Sequence, residues 1–414
     1  MFDVTTQGPP AGVRGRLGRL AHHLIPDLDQ RVYARNRRTD RRQRRATGGF
    51  DQVYRAAAQA QFPAHAREPV VVVVPPEGPE DGRWGPSKWN IYFEASQRLR
   101  ETPGHQQVVD FFVEPGEHPA HWHRRLIDFL QDAKATHLLT HIEHDPGRTD
   151  GQWTWDTLWE AITPRWPGVL LGGMFDSSYR FTEAKAKILS RMSANFVLVD
   201  ICIPMDGALV RARPEVGPVN IPMSEATLQE VESYLAGQEK EFDISFMGVL
   251  YDYRVELVER LRASGISVAV NPHRGDSASN ADATRSNQPS WLDYMRGLAA
   301  SRATINFSRS NAGPFEQLKT RVIEVGLAGT YLFTDDHNRT RQFWSESDFS
   351  SFAGPEELHD KSQQALSNAA ELTRATEAFR DRAMFLARHH YWGSIETTLR
   401  LRGLPSIGIE PFTG

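Results

Sequence analysis

The chain of 414 residues is too long for a single hydrophobic core and predicts two or three domains. Its 40% hydrophobic and 24% charged residues are typical of a globular protein, and no apolar run approaches the roughly 18 residues of a membrane-spanning helix. The single cysteine, Cys202, excludes an internal disulfide framework and a cysteine-rich zinc module, and it favours a cytoplasmic location. A formal net charge of −4 indicates no general affinity for polyanions.

The near-neutral total hides a basic N-terminal arm. Residues 14–45 contain 11 arginines and three acidic residues, with apolar side chains at helical spacing among them. The simplest interpretation is a solvated extension, or a helix that lies on an acidic surface of the protein itself. The alternative is an amphipathic element that binds an anionic membrane surface and makes the protein peripheral at the membrane. Nucleic-acid binding is disfavoured, because no aromatic platform lies among the arginines.

From residue 69 onwards, short apolar strands alternate with helical patterns. The predicted strands of the first half are Val70–Pro76, Val108–Val113, His137–Ile142, Gly168–Met174 and Phe196–Ile201. The predicted helices between them are Ser87–Arg100, Ala120–Lys134, Trp155–Ile162 and Thr182–Met192. Strands separated by helices of this length predict crossover connections and a parallel sheet.

The alternation of strands and helices stops at a proline-rich stretch after residue 203, and it begins again in the second half of the chain. The predicted strands of the second half are Ile244–Val249, Ser267–Asn271, Ala303–Phe307 and Thr330–Thr334. The predicted helices are Arg254–Ser264, Trp291–Ala300 and Glu316–Ala328, followed by a long helical segment, Pro355–Trp392.

The predicted fold class is therefore α/β, with two doubly wound, Rossmann-like parallel sheets facing a cleft. The predicted divisions are a basic extension (1–66), a first α/β domain (67–203), a linker (204–240), a second α/β domain (241–392) and a C-terminal tail (393–414) that crosses back to the first domain. Open sheets of this kind bind ligands at the carboxyl ends of their strands.

The segment from Asn306 to Gly329 is the most informative part of the sequence. A strand ends near Ser308, a loop carries Gly313, and a helix is predicted to begin at about Glu316 and to end before Gly329. A loop that leads into a helix N-terminus offers free backbone N–H groups to a phosphate. Two cations in the first turns of that helix, Lys319 and Arg321, would be disfavoured by the helix dipole unless an anion such as a diphosphate bound there.

Two carboxylates flank these cations. Glu316 and Glu324 are separated by seven residues, which corresponds to about 12 Å along a continuous helix. A nucleotide sugar spans a comparable distance between its sugar hydroxyls and its ribose. The pattern therefore predicts a donor site in which the two carboxylates bind hydroxyls and the cations bind the phosphates, although two solvated helix carboxylates would show the same spacing.

The pattern resembles the donor motif of retaining glycosyltransferases of the GT-B fold, the glycosyl transferase group 1 class. Three segments are similar to its CgeB-like (spore-maturation) branch: the strand Phe242–Gly248, the run Gln317–Glu324, and Phe175–Phe181 with the sequence Phe-Asp-Ser-Ser-Tyr-Arg-Phe. The tail motif of this class resembles His389–Trp392. The resemblance covers about residues 165–400.

The resemblance implies roles for particular residues of the donor site. Glu316 would hold the donor sugar near the reacting carbon, and Glu324 would bind the ribose. Gly248 would let the backbone approach the phosphates. Common members carry a basic residue after this glycine where the present chain has Val249, so Arg254 or one of the two cations near Glu316 would neutralise the diphosphate.

Acceptors in this class bind mainly to the first domain, which makes polar residues after its strands candidates. Asp176 suits a carboxylate that binds or deprotonates an acceptor hydroxyl, although a helix N-cap explains it equally well. His141 and His144 follow the third strand, and Trp84 lies in the loop after the first; we expect these to line the acceptor side or to be ordinary loop residues. The resemblance implies no metal and no cofactor.

The predicted function is metal-independent transfer of a sugar, with retention, from a nucleotide-diphosphate sugar to an acceptor hydroxyl. The acceptor would be a glycan, a lipid-linked molecule or a small molecule. One alternative is a non-hydrolysing nucleotide-sugar epimerase on the same fold, and another is a binding or scaffold protein with a degenerate donor site that is recruited by the arginine arm. A GT-A transferase would need an Asp-x-Asp motif after a strand, and a dehydrogenase would need Gly-x-Gly-x-x-Gly; the chain has neither in place.

Overall fold

The protein was analysed as a computed structural model. It describes residues 49–62, 68–75, 91–104, 107–114, 116–142, 154–174, 189–200, 216–248, 250, 252–272, 291–308 and 317–413, with four isolated positions in the basic arm. Those four are the exposed helical residues Arg31, Arg35, Arg38 and Arg42. Among the described helices, none combines the length and hydropathy needed to cross a bilayer.

The first half forms a parallel five-stranded sheet with helices around it. Its elements are α1 (Phe50–Gln59), β1 (Val71–Val74), α2 (Ile91–Arg100), β2 (Val108–Asp110), α3 (Pro119–Asp132), β3 (His137–His141), α4 (Thr154–Ile162), β4 (Val169–Met174) and β5 (Phe196–Asp200). The strand order is β2-β1-β3-β4-β5, and every pair is parallel. Strands β1, β3, β4 and β5 are buried throughout, which explains why β1, β4 and β5 are almost continuously apolar.

The second half repeats this arrangement. Its elements are α5 (Glu225–Leu235), β6 (Phe242–Phe246), α6 (Asp252–Ala263), β7 (Val268–Val270), α7 (Trp291–Ala299), β8 (Ser301–Asn306), α8 (Thr320–Leu327), β9 (Tyr331–Thr334), β10 (Ser350–Ser351), α9 (Pro355–Ser367) and α10 (Ala369–Leu401). The strand order is β10-β9-β8-β6-β7, again all parallel. The predicted fold class, α/β with two doubly wound parallel sheets, is confirmed.

Both sheets have the same topological switch point. In each sheet, the strand that comes first along the chain lies between the second and the third. The chain therefore adds strands in one direction and then in the other, and the direction changes between β1 and β3 in the first sheet and between β6 and β8 in the second. Ligands of open α/β sheets bind at such points, beyond the carboxyl ends of the strands. Most of the loops that follow β1, β3, β4, β5 and β8 lie outside the described residues, so the predicted cleft between the domains stays a prediction.

Some segments differ from the sequence-based expectations. The predicted linker 204–240 contains α5, which begins at the N-cap Ser224, because this serine accepts a hydrogen bond from Thr227 N and provides a helix start despite the preceding prolines. The predicted extension 1–66 contains α1, whose buried face packs into the core of the first domain. The long helical segment is two helices separated at Asn368, and the second extends to Leu401.

The C-terminal part of the chain contacts helix α2 and strand β5 of the first half. Trp392 Nε1 donates to the backbone oxygen of Ala95 at 2.8 Å, and Arg402 Nη1 donates to that of Phe196 at 2.6 Å. A core of buried side chains includes residues from β1, α2, α8 and α10, so the two halves share apolar packing.

Candidate functional site

The candidate donor site lies at the switch point of the second sheet, where β6 and β8 end. Gly248 follows β6 with a φ of 139°, a conformation that glycine adopts and other residues rarely do. An ideal Cβ atom on this glycine would lie 3.0 Å from Arg321 Nη2. The predicted requirement for glycine at this position therefore has a physical basis, since a side chain would press against the guanidinium group.

Asn271 holds the backbone of Gly248. Its Oδ1 accepts a hydrogen bond from Gly248 N at 2.7 Å, and its Nδ2 donates to Gly248 O at 2.9 Å. Asn271 itself has a φ of 49°, in the left-handed region that asparagine tolerates better than most residues. Sequence reasoning missed this residue, although an asparagine followed by proline at the end of a strand signals a special backbone conformation.

The carboxylate of Glu324 is buried on α8, with 5% of its residue surface exposed. Its Oε1 accepts a hydrogen bond from Trp291 Nε1 at 2.9 Å, and its Oε2 accepts one from the Tyr294 hydroxyl at 3.0 Å. Burial and the neighbouring Glu324 carboxylate raise the pKa of Tyr294 well above its usual range, so this hydroxyl stays protonated and donates. Sequence reasoning missed both aromatic residues, whose spacing of three on α7 places them on one helix face.

The cations proposed for the diphosphate differ in their surroundings. Arg321 Nε donates to the Tyr294 hydroxyl at 3.3 Å. Arg254 is 8% exposed, and its guanidinium carbon lies 4.9 Å from the ring centroid of Phe307. Lys319 Nζ donates to Gln317 Oε1.

The helix that carries these residues begins later than the sequence predicts. α8 starts at Thr320, with Lys319 at its N-cap in an extended conformation (φ −87°, ψ 145°), rather than at about Glu316. The buried side chains of Gln317 and Leu318 anchor this extended segment. The predicted helical spacing of about 12 Å between the two glutamates therefore does not hold, because the residues between Glu316 and Thr320 are not helical.

The predicted end of this helix agrees with the structure. α8 ends at Leu327, and Gly329 follows with a φ of 60°, the conformation of a glycine after a C-cap. Within the helix, Gly326 packs directly against Ala383 of α10, where any Cβ atom would collide. This close approach fixes α8, and with it the Glu324 carboxylate, against α10, the longest of the helices that the structure describes.

On the first sheet, His141 is the last residue of β3 and lies at the β1/β3 switch point. Its Nδ1 is 2.8 Å from the Tyr92 hydroxyl, and 5% of its residue surface is exposed. His141 is thus a buried, hydrogen-bonded residue at the sheet edge where an acceptor site is predicted. Five other predicted site residues lie outside the described residues: Asp176, Glu316, Gly313, and His144 and Trp84 on the acceptor side.

Comparison with known proteins connects this site with a family. Residues 238–400, which include the second sheet and all the described donor-site residues, match the model of the glycosyl transferase-like family. A comparison with curated proteins found no significant match. Residues 238–400 are thus similar to the glycosyl transferase-like family, in agreement with the predicted transferase class, and membership of the CgeB-like branch stays a prediction.

Solved structures with a similar fold include several glycosyltransferases. A glycosyltransferase from Rickettsia africae is 9% identical with a TM-score of 0.46, and the match covers 81% of the present chain and 98% of that chain. Sucrose-phosphate synthase from Thermosynechococcus elongatus is 10% identical with a TM-score of 0.46, covering 81% and 99%. HepE from Anabaena, in complex with UDP and glucose, is 8% identical with a TM-score of 0.45, covering 80% and 98%.

Proposed function

We propose that the protein transfers a sugar from a nucleotide-diphosphate sugar to an acceptor hydroxyl. The observation that carries the proposal is that residues 238–400 match a glycosyl transferase-like family model. Within these residues, the switch point of the sheet brings a glycine turn, a guanidinium group and a buried carboxylate close together. These are the groups that a phosphate and a ribose would need. The nucleotide sugar is the donor substrate, and no further cofactor is proposed.

In this proposal Glu324 binds the ribose of the donor. A buried carboxylate whose oxygens accept from Trp291 and Tyr294 has a fixed orientation, as a group that binds sugar hydroxyls requires. The backbone at Gly248 lets the phosphates approach. The chemical contribution of the protein is then positioning and electrostatic stabilisation of the departing diphosphate.

Finer features of the reaction are proposed from the resemblance alone. The resemblance to retaining GT-B glycosyltransferases implies transfer with retention and without a metal ion, with Glu316 near the reacting carbon and Asp176 at the acceptor hydroxyl. The leaving diphosphate would help to deprotonate the acceptor. Determination of the product anomer by NMR, with and without EDTA, tests retention and metal independence separately.

Thermal-shift screening against nucleoside diphosphates and their sugars tests the proposed function most directly. We expect stabilisation by at least one nucleotide, and a loss of that stabilisation in Glu324→Ala. No shift with any nucleotide would contradict the proposal, as would an unchanged shift in Glu324→Ala. Interconversion of nucleotide-sugar epimers in the absence of an acceptor would show an epimerase instead.

A membrane-binding role of residues 14–45 is proposed as well. It is supported by the density of arginines in this arm and by the exposure of Arg31, Arg35, Arg38 and Arg42, which lie on one helix face. Flotation with vesicles of phosphatidylserine and phosphatidylcholine should depend on this arm. Equal flotation of the full chain and of a chain without residues 1–48 would contradict the role.

A further inference from the structure

The donor site contains three cations that could neutralise a diphosphate, and their surroundings distinguish them. We propose that Arg321 is the residue that binds the donor diphosphate. This inference rests on the proposed function.

Arg321 lies directly beside the glycine turn at the end of β6. Its Nη2 atom is 3.0 Å from the position of an ideal Cβ on Gly248, and its guanidinium carbon is 5.7 Å from the ring centroid of Phe246. The turn itself is fixed by Asn271, which bonds both the N–H and the carbonyl group of Gly248. The absent Cβ thus leaves room for a cation against the backbone at the switch point, where a phosphate would approach.

Arg321 is also connected to the carboxylate proposed for the ribose. The Tyr294 hydroxyl accepts from Arg321 Nε at 3.3 Å and donates to Glu324 Oε2 at 3.0 Å. A single hydroxyl group therefore separates the guanidinium from the carboxylate. In a nucleotide sugar the diphosphate is attached directly to the ribose. If Glu324 binds the ribose, the guanidinium group of Arg321 is therefore close enough to bind the diphosphate.

The guanidinium retains donors for an anion. Arginine has five N–H groups, and within the described part of the chain the Tyr294 hydroxyl is the hydrogen-bond acceptor that Arg321 contacts. The described carboxylates form no ion pair with Arg321. The first turn of α8 contains no acidic residue either, so a bound phosphate would relieve the repulsion between this cation and the helix N-terminus.

The other two cations are less suited. Arg254 is 8% exposed and lies with its guanidinium over the rings of Phe307 and Phe246, at 4.9 and 5.9 Å. The Lys319 ammonium group is bound by Gln317, outside the connection between Gly248 and Glu324. The geometry thus favours Arg321, whose planar fork can hold two phosphate oxygens at once.

The test measures by calorimetry how tightly the full chain binds a nucleoside diphosphate and the corresponding nucleoside. The four pairs are those of uridine, guanosine, adenosine and thymidine. We expect Arg321→Gln to weaken binding of the diphosphate by about 10- to 100-fold, and to leave nucleoside affinity within about twofold. Arg321→Lys keeps the charge but not the planar fork, so its affinity for the diphosphate should lie between those of the wild type and of Arg321→Gln. It also provides a second variant if the glutamine variant is unstable. Arg341→Gln removes an arginine that is 51% exposed and bonded to Asn338, and serves as the matched control.

Unchanged diphosphate affinity in Arg321→Gln would overturn the inference. So would a larger loss in Arg254→Gln or Lys319→Gln than in Arg321→Gln, or an equal loss for nucleoside and diphosphate. If the wild-type protein binds none of the nucleotides, the proposed function itself fails, and this outcome is distinct from failure of the assignment to Arg321.

Discussion

The side chain of Asn271 and the backbone of Gly248 hydrogen-bond each other in both directions. The two bonds, 2.7 and 2.9 Å long, join the residue after β7 to the turn after β6. Both residues have positive φ angles, 49° and 139°. The pair therefore fixes an unusual backbone at the place where the donor phosphates are proposed to bind.

Substitution of Asn271 should separate the two contributions of this residue. Asn271→Gly keeps the left-handed conformation and loses both side-chain bonds, so we expect a loss of about 1–2 kcal/mol in the free energy of unfolding. Asn271→Ala adds the cost of a positive φ and should lose about 1 kcal/mol more. Urea denaturation measures both values. Equal stability of the two variants would contradict the role of the backbone conformation.

Removal of the indole N–H at residue 291 should weaken the ribose site. Trp291→Phe keeps an aromatic ring but removes the indole hydrogen bond to Glu324 Oε1, so we expect stability to fall by about 1–3 kcal/mol and nucleoside affinity to fall several-fold. Calorimetric titration with nucleosides measures the second effect.

Trp344→Phe is the matched control for this prediction. Its Nε1 donates to the backbone oxygen of Phe379, so the variant also loses a buried indole bond. It should lose stability but keep nucleoside affinity. A fall in affinity in both variants would indicate general destabilisation rather than a specific effect on Glu324.

The sequence predicted the repeated α/β pattern well because the buried parallel strands are short apolar runs, of which Val71–Val74 is the clearest. It placed the start of α8 too early because Gly313 and Pro314 suggest a helix start, whereas the start is set by burial of Gln317 and Leu318, which no local pattern reveals. Glu324 could be identified from its motif. Its partners Trp291 and Tyr294 could not, because they lie about 30 residues away along the chain and meet it only through the packing of α7 against α8.

The contact between α8 and α10 should be sensitive to a single methyl group. Gly326→Ala would drive a Cβ atom into Ala383, with the Phe379 carbonyl oxygen 3.3 Å away, and we expect a loss of about 1–3 kcal/mol in unfolding free energy. Gly354→Ala has no atom within 4 Å of the added methyl group and should change stability by less than about 0.5 kcal/mol. Equal stability of both variants would contradict the close packing.

The junction between α2 and α5 depends on the buried carboxylate of Glu94. It accepts hydrogen bonds from Ser224 N, Ser224 Oγ and Thr227 Oγ1 at 2.7–2.9 Å, at the N-terminus of α5. Glu94→Gln would replace one of the two acceptor oxygens by an amide donor and remove the charge that the three donors face, and we expect a loss of about 2–3 kcal/mol by chemical denaturation.

Glu232→Gln provides the control for the junction. This glutamate is 63% exposed and pairs with Arg380, so its substitution should cost less than about 1 kcal/mol. Similar losses of stability in Glu94→Gln and Glu232→Gln would show that the buried hydrogen bonds of Glu94 stabilise the protein no more than an exposed ion pair does.

Acidification should destabilise the protein through His390, which is 3% exposed on α10. Burial, together with the nearby Arg382, lowers the pKa of His390 to about 3. The neutral ring accepts a hydrogen bond from Asn220 N at 3.0 Å through Nδ1, and protonation would remove this acceptor. The folded protein therefore binds the proton more weakly than the unfolded chain, in which the pKa is 6.5.

The sign follows from this difference in proton binding. Above pH 6.5 the His390 ring is neutral in the folded and the unfolded state, and its titration does not change the free energy of unfolding. Between pH 6.5 and about 3 the unfolded chain is protonated first, so the free energy of unfolding falls as the pH falls. We expect His390 to account for a few kcal/mol of this loss. His390→Asn keeps an acceptor near the Nδ1 position without titrating, so its unfolding free energy should fall less steeply between pH 6.5 and 4 than that of the wild type. Parallel pH profiles of the two proteins would show that His390 is not responsible, because the carboxylates that titrate in the same range are common to both.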